Sequence, residues 1–214
     1  MEFVNYNNWT RKEAFEFFST YDYPYAQITS SLKLGNLPIL AKSRNISFYG
    51  LMMYMVLETL NHIEAYHYGL LENKIVYYPS LGCSFTSIDT NNQICFSEKI
   101  PLNPFPTFME DFYRAKVEAE QHRKRLCIKD DDSGIVYMSC VPWIDLVGML
   151  QPMKTSIPDS IPRVTWGKYM PEHDGFRLNL NLQVHHGFQD GKQIAEFFIL
   201  LQNGIDSMRG NWQP

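Results

Sequence analysis

Apolar and polar positions alternate with a two-residue period in two stretches of this chain, Ala26 to Leu34 and Phe176 to Val184, and each predicts a half-buried β-strand. Shorter β-rich runs at 75–78, 83–86 and 93–96, separated by Pro79, Gly82 and the Asp89-Thr90-Asn91-Asn92 turn, predict three strands joined as a meander. Ile135 to Cys140 and Arg163 to Lys168 predict two more. Helical spacing first appears after Asn8, a good N-cap, and runs to about Thr20. A second helix begins at Ser47 as its cap and ends near Asn61 and His62; being apolar nearly all round, it belongs in the centre of the fold. Two further helices are expected from Phe108 to Arg125 and from Gly191 to about Met208, the first followed by a polar loop at 129–134. No repeat, low-complexity tract or Pro/Ser-rich linker interrupts this order. The expectation is one domain over residues 1–214 of the α+β class, a two-layer α/β sandwich with a mixed β-sheet packed by helices.

Size and composition narrow the partners. A chain of 214 residues buries most of its unfolded surface in one domain, and 45% hydrophobic with 20% charged residues is ordinary for a globular protein. A formal net charge of −4 argues against nucleic acid, whose affinity needs clustered Lys and Arg. The longest apolar run, Phe48 to Leu60, contains Glu58 and is too short for a bilayer, so no membrane partner is expected. The first residues lack a basic region followed by an apolar core, which points to a cytoplasmic location. Cys83, Cys95, Cys127 and Cys140 show no C-x-x-C spacing and read as reduced, mostly buried thiols.

The candidate chemistry lies where the second alternating run ends, in Val184-His185-His186-Gly187-Phe188-Gln189-Asp190-Gly191. A strand that ends in two histidines, followed by a turn and a helix start, delivers imidazole to the rim of a cleft. Histidine titrates near neutrality and can take a proton from an alcohol once its tautomer and ring orientation are fixed. Asp190 stands four residues after His186, and Gly191 allows an unusual backbone angle or close packing. On the residues alone, one core ring and one surface ring is the better explanation of the pair. Adjacent histidines on a strand face opposite ways, so His185 and His186 do not hold one metal ion, and no metal site is expected.

His-His-x-x-x-Asp-Gly resembles the signature of coenzyme A-dependent acyltransferases, which include chloramphenicol acetyltransferases and dihydrolipoamide acyltransferases. The resemblance to chloramphenicol acetyltransferases extends along nearly the whole chain. Asn8 to Glu16 is similar to the family's Trp-x-Arg-Lys/Arg-Glu-x-Phe-Glu opening. Ile46-Ser47-Phe48-Tyr49 and the stretch from Thr86 through Phe96 to Ser97 fall where the family has Lys-Phe-Tyr-Pro and Glu-Thr-Phe-Ser. Met138 to Trp143 resembles Ser-x-x-Pro-Trp, and Val164 to Tyr169 resembles Thr-x-Gly/Ala-Lys-Tyr.

The resemblance implies a coenzyme A-dependent acyltransferase-like fold and acetyl transfer from acetyl-CoA to a hydroxyl of chloramphenicol, without a metal. It makes His186 the general base, Ser139 the oxyanion donor and Thr165 the holder of an ordered water. Asp190 pairs with Arg11 to support the turn, Phe18 and Phe96 line the acceptor pocket, and Lys168 and Tyr169 meet coenzyme A. It further implies a homotrimer with active sites at subunit interfaces. The chain departs from the family pattern in three places: Gly187-Phe188-Gln189 replaces Ala-Val-Cys, His67 replaces an arginine, and Gly50 replaces a proline. The alternative acceptor is another small alcohol or amine. The alternative of another class is a trimeric binding protein whose site has decayed.

Overall fold

The computed structural model describes residues 1–121, 134–154 and 159–212. In chain order the elements are β1 (Glu2–Phe3), α1 (Lys12–Phe18), β2 (Tyr25–Gly35), α2 (Leu37–Ser43), α3 (Phe48–Asn61), β3 (Tyr68–Leu71), β4 (Lys74–Tyr77), β5 (Gly82–Ile88), β6 (Ile94–Phe96) and β7 (Ile100–Pro101). Then follow α4 (Phe105–Gln121), β8 (Ile135–Val141), β9 (Arg163–Gly167), β10 (Met170–Glu172), β11 (Gly175–His185) and α5 (Gly191–Asn211). The main sheet runs β10-β11-β9-β8-β5-β6, with β2 also on β11 and β7 on β5. It is mixed: β5, β8 and β9 are parallel, whereas β11 is antiparallel to both β9 and β2.

Strand β11 organises the packing. Its Leu178, Leu180, Leu182 and Val184 are fully buried on the face that meets the helices. The register carries that apolar face across the sheet, from Leu182 to Val164 on β9, Met138 on β8 and Phe85 on β5. Against it pack Leu51, Met52 and Val56 of α3, Phe108 and Phe112 of α4, and Phe197, Leu201 and Ile205 of α5. The result is a helical layer on one side of a mixed sheet, the α+β arrangement that the element order implies.

Several local expectations are corrected. Asn8 does not cap α1: it closes a 3-10 turn at Tyr6–Asn8, and Arg11 is the residue preceding the helix. Trp9 must first pass in extended conformation into a cluster with Phe15 and Phe188, which moves the helix start about one turn later. Ser47 does cap α3, accepting from the Gly50 N–H. The three strands expected as a meander divide between two sheets: β4 pairs with β3 and β1 in a small separate sheet, while β5 enters the main sheet beside β8. Helix α4 starts at Phe105, with Pro106 in its first turn, where a missing N–H costs nothing. Its expected continuation to Arg125, most of the 129–134 loop and Cys127 lie outside the described residues. Cys83 and Cys95 are buried, Cys140 is half-buried, and all three are free thiols. Among the described residues no helix is long and apolar enough to cross a membrane.

The start of β11 depends on backbone contact. Gly175 has φ +128°, and a Cβ built there would lie 2.4 Å from the Gly35 carbonyl carbon and oxygen at the end of β2. Gly175→Ala is therefore expected to cost about 3 kcal/mol through strain and a displaced strand end. A thermal unfolding midpoint equal to that of the unaltered protein would show that this approach constrains nothing.

Candidate active site

His186 follows the last residue of β11, and its backbone is held on both sides. Its N–H donates to the Pro24 carbonyl at 2.8 Å, tying the turn to the chain entering β2. Its ring lies face to face with Phe18, the last residue of α1, with centroids 3.9 Å apart and planes 14° from parallel. Nδ1 lies 3.1 Å from the Gln189 carbonyl oxygen. A carbonyl can only accept, so this bond places the neutral ring's proton on Nδ1 and leaves Nε2 with its lone pair. An imidazole held in this way can take a proton at Nε2.

The turn is fastened by Arg11. The guanidinium donates from Nε to the Gly187 carbonyl at 3.2 Å, from Nη1 to Asp190 Oδ2 at 3.1 Å and from Nη2 to the His186 carbonyl at 3.4 Å. Asp190 is the N-cap of α5, accepting from the Lys192 N–H at 2.9 Å, and Gln193 returns the bond to the Asp190 N–H at 3.0 Å to complete a capping box. Partial burial alone would raise the Asp190 carboxyl, but the Lys192 N–H and the Arg11 guanidinium outweigh it and hold it below the usual range. Side-chain exposures of 20% for Arg11 and 42% for Asp190 place the pair at the edge of solvent. The 3–5 kcal/mol scale of a fully buried pair therefore does not apply, and about 2 kcal/mol is the appropriate scale for losing Arg11 with its backbone bonds. Gly187 has a packing reason to be glycine, since a Cβ there would come within 2.9 Å of Phe15 Cα. Gly191 has neither of its expected reasons: its position faces open space and its backbone is not left-handed.

His185 points the other way. It is 3% exposed, packed among Phe15, Tyr25 and Phe188, and its Nδ1 accepts from the Gly187 N–H at 3.1 Å. Burial lowers its pKa to about 4. It is a neutral core residue that shapes the turn.

Ser139 and Thr165 form a second group. They are register partners on β8 and β9, in a polar row that continues from Thr165 to Asn181 on β11 and from Asn181 to Thr29 on β2. Ser139 Oγ lies 2.7 Å from Thr86 Oγ1 on β5, and Thr86 in turn is the register partner of Phe96. Thr165 is fully buried, and its hydroxyl accepts from Gln151 Nε2 at 2.6 Å. Lys168 and Tyr169 come three and four residues after Thr165; both are exposed, Tyr169 standing edge-on to Phe48 and Phe176.

The expected site residues thus fall into two groups in one chain. His186, Asp190, Arg11 and Phe18 cluster beyond the end of β11, whereas Ser139, Thr165, Phe96, Lys168 and Tyr169 gather around the polar row and the end of β9. From Asn181 to His185 is four residues along β11, about 13 Å, and Ser139 lies two strands away from Asn181, about 10 Å. The two groups are therefore separated by roughly 16 Å, too far for one substrate atom to touch both.

Sequence reasoning missed the amides that organise the second group. Gln151 donates its side chain to Thr165 and its backbone N–H to Gln183 Oε1, and Tyr23 OH donates to the same Gln183 oxygen. The signal was present in Asn179-Leu180-Asn181-Leu182-Gln183, whose polar positions are amides and not charges, the type chosen for a polar face that is buried.

The depressed pKa of His185 sets a pH dependence. Between about 4 and the ordinary 6.5 the unfolded chain binds this proton and the folded chain does not, so acidification through that window destabilises the fold. The slope is at most about 1.4 kcal/mol per pH unit for this group. Thermal midpoints measured from pH 7 to pH 5 should fall less steeply for His185→Gln than for the unaltered protein; parallel curves would contradict this burial argument.

Comparisons with known proteins identify the family and the fold. The sequence profile of the chloramphenicol acetyltransferase family matches residues 1–202. Similar proteins include chloramphenicol acetyltransferase 2 of Escherichia coli, 24% identical over 208 residues that cover 96% of this chain and 97% of that one. The chloramphenicol acetyltransferase of Campylobacter coli is 26% identical over 213 residues, covering 94% and 96%. Among solved structures, a chloramphenicol acetyltransferase superposes with a TM-score of 0.80 at 22% identity, over 96% of this chain and all of that one. The dihydrolipoamide acetyltransferase of Azotobacter vinelandii does so at 0.67 and 14%, over 90% and 85%, and at these identities the structures speak for the fold. With the profile spanning nearly the whole chain, this protein is an acyltransferase that belongs to the chloramphenicol acetyltransferase family.

Proposed function

We propose that this chain, as one domain over residues 1–214, transfers the acetyl group of acetyl-CoA to a hydroxyl of chloramphenicol, acting as a cytoplasmic homotrimer. The observation that carries the reading is the bond from His186 Nδ1 to the Gln189 carbonyl, which leaves Nε2 as the proton acceptor. In this reading Nε2 takes the proton of the acceptor hydroxyl as its oxygen attacks the thioester carbonyl. The tetrahedral oxyanion accepts a hydrogen bond from Ser139, whose hydroxyl lies 2.7 Å from that of Thr86. Collapse breaks the carbon–sulfur bond, and the coenzyme A thiolate takes the proton back from His186. Thr165, whose oxygen accepts from Gln151, still has its proton to donate to an ordered water. Phe18 and Phe96 offer aromatic surface to the acceptor, and Lys168 and Tyr169 offer a cation and a ring to coenzyme A.

The separation of the two groups supports a site composed from two copies, His186 from one and Ser139 from its neighbour. Two further features favour this assembly. Among the described residues Asn181 Oδ1 and Gln183 Nε2 are buried without a hydrogen-bond partner, which leaves an uncompensated cost of about 1–3 kcal/mol each. The β8–β9 connection also exposes Trp143, Ile144, Val147 and Leu150, the apolar surface that an interface covers. The second reading, a different small alcohol or amine as acceptor, is favoured by Gly187-Phe188-Gln189 in the histidine turn.

Release of free thiol from acetyl-CoA by purified protein, with and without chloramphenicol, tests the reaction. Chloramphenicol-dependent release is expected, falling by about 10²–10⁴ in His186→Ala, the contribution of a positioned base. Ser139→Ala should lower kcat by about 10²–10³ with little change in KM. Release with other alcohols or amines alone would move the assignment to the second reading, and turnover unaffected by His186→Ala would remove the proposed base. Arg11→Ala should lose about 2 kcal/mol of stability together with activity, and a variant as stable as the parent would show that Arg11 does not hold the turn.

A further inference from the structure

The 3-10 turn Glu64–His67, between α3 and β3, packs against the turn that carries His186, and two departures of this chain from the family pattern meet there. His67 is buried, with Nδ1 at 2.6 Å from the Tyr78 carbonyl and Nε2 at 2.9 Å from the Asn61 carbonyl, and its own carbonyl accepts from the Tyr78 N–H at 2.8 Å, which ties the turn to the end of β4. Tyr66, equally buried, donates its hydroxyl to the Gln193 carbonyl in the first turn of α5 at 3.1 Å. Between these anchors the Ala65 carbonyl accepts from Gln189 Nε2 at 2.7 Å. Gln189 is 0% exposed, and it is the residue whose own carbonyl faces His186 Nδ1 at 3.1 Å.

We infer that Gln189 is a positioning residue: its side chain, fixed on Ala65, holds the peptide carbonyl that keeps the His186 proton on Nδ1. The inference rests on His186 being the general base. Gln193 Oε1, accepting from the Asp190 N–H, fixes the plane of the peptide that contains the Gln189 carbonyl, and the position of that peptide's Gln189 end rests on the Nε2 bond to Ala65. Breaking that bond leaves a buried donor and a buried acceptor unpaired, and such an arrangement resists rotation. Other bonds hold the neighbouring groups: Arg11 holds the carbonyls of His186 and Gly187, the Gln189 N–H donates to the His185 carbonyl at 3.2 Å, and Gln193 holds the Asp190 N–H. Among the hydrogen bonds described for this turn, the Gln189 side chain alone reaches from the residue that carries the tautomer-setting carbonyl to a separate segment. A base with an unset tautomer presents the N–H instead of the lone pair to the acceptor for part of the time, so turnover falls while substrate affinity does not.

The test is Gln189→Met, which preserves length and volume but removes the donor. The variant is expected to lower kcat about 10–100-fold, the range for loss of a group that orients a reacting histidine, with KM for acetyl-CoA and acceptor within about twofold of the parent. Histidine ring ¹⁵N spectra above the pH of ring titration should show the His186 proton on Nδ1 in the unaltered protein and a mixture of tautomers in the variant. A folded Gln189→Met with full kcat and an unmixed tautomer overturns the inference. So does an Nε2–H tautomer in the unaltered protein, a measurement independent of whether the variant folds. His186→Ala assayed alongside separates the two levels: persistent turnover there removes the base itself, while an inactive His186→Ala beside a fully active Gln189→Met removes only the positioning role.

Discussion

Strand β11 is buried on both faces, and the rest of the molecule is arranged around that constraint. One face must be apolar to meet the helices, and Leu178, Leu180, Leu182 and Val184 provide it. The other carries Asn181 and Gln183, each 1% exposed, so its polar atoms need partners that water does not supply freely. Thr29, Gln151 and Tyr23 meet part of that demand, and the resulting row of hydroxyls and amides also contains Ser139 and Thr165. Where the strand ends, the chain turns at Gly187 and starts α5 at Asp190, which leaves His186 at the edge of the sheet.

The two ends of this arrangement are built differently. Around His186 the constraints are directional: a carbonyl on Nδ1, an aromatic plane against the ring, and a guanidinium gripping consecutive backbone carbonyls. Around Ser139 they are two polar pairs on neighbouring strands, the Ser139 hydroxyl beside that of Thr86 and the Thr165 hydroxyl accepting from Gln151. The first suits a group that must accept a proton in one orientation, the second a group that must donate to developing negative charge. Their separation within one chain gives both the proposed assembly and the proposed chemistry a common geometric basis.

Much of this was legible in the sequence. The alternation in Phe176 to Val184, the Ser47 cap and the order of apolar runs follow from local periodicity, and the structure places strands and a helix there. Long-range pairing was not legible: β5 lies parallel to β8 because Cys83 and Phe85 extend the apolar face of Val136 and Met138, a match between residues about fifty positions apart. The hairpin of β3 and β4 was hidden because its turn uses Glu72 and Asn73 at positive φ, where Gly is the usual signal. In the candidate site, the motif indicated His186 and Asp190, whereas Gln189 and Gln151 act through contacts with Ala65 and Thr165 that no local pattern encodes.

Subunit complementation tests the composite site most directly. His186→Ala and Ser139→Ala chains, each inactive alone, are dissociated, mixed and reassembled, and thiol release from acetyl-CoA with an accepted substrate is measured. A site that takes His186 from one copy and Ser139 from its neighbour regains both groups wherever the two variants meet in the right order, so activity returns to a substantial fraction of the parent's. Mixed assemblies, verified by mass, that remain as inactive as either variant would contradict the account and place both residues' roles within a single chain.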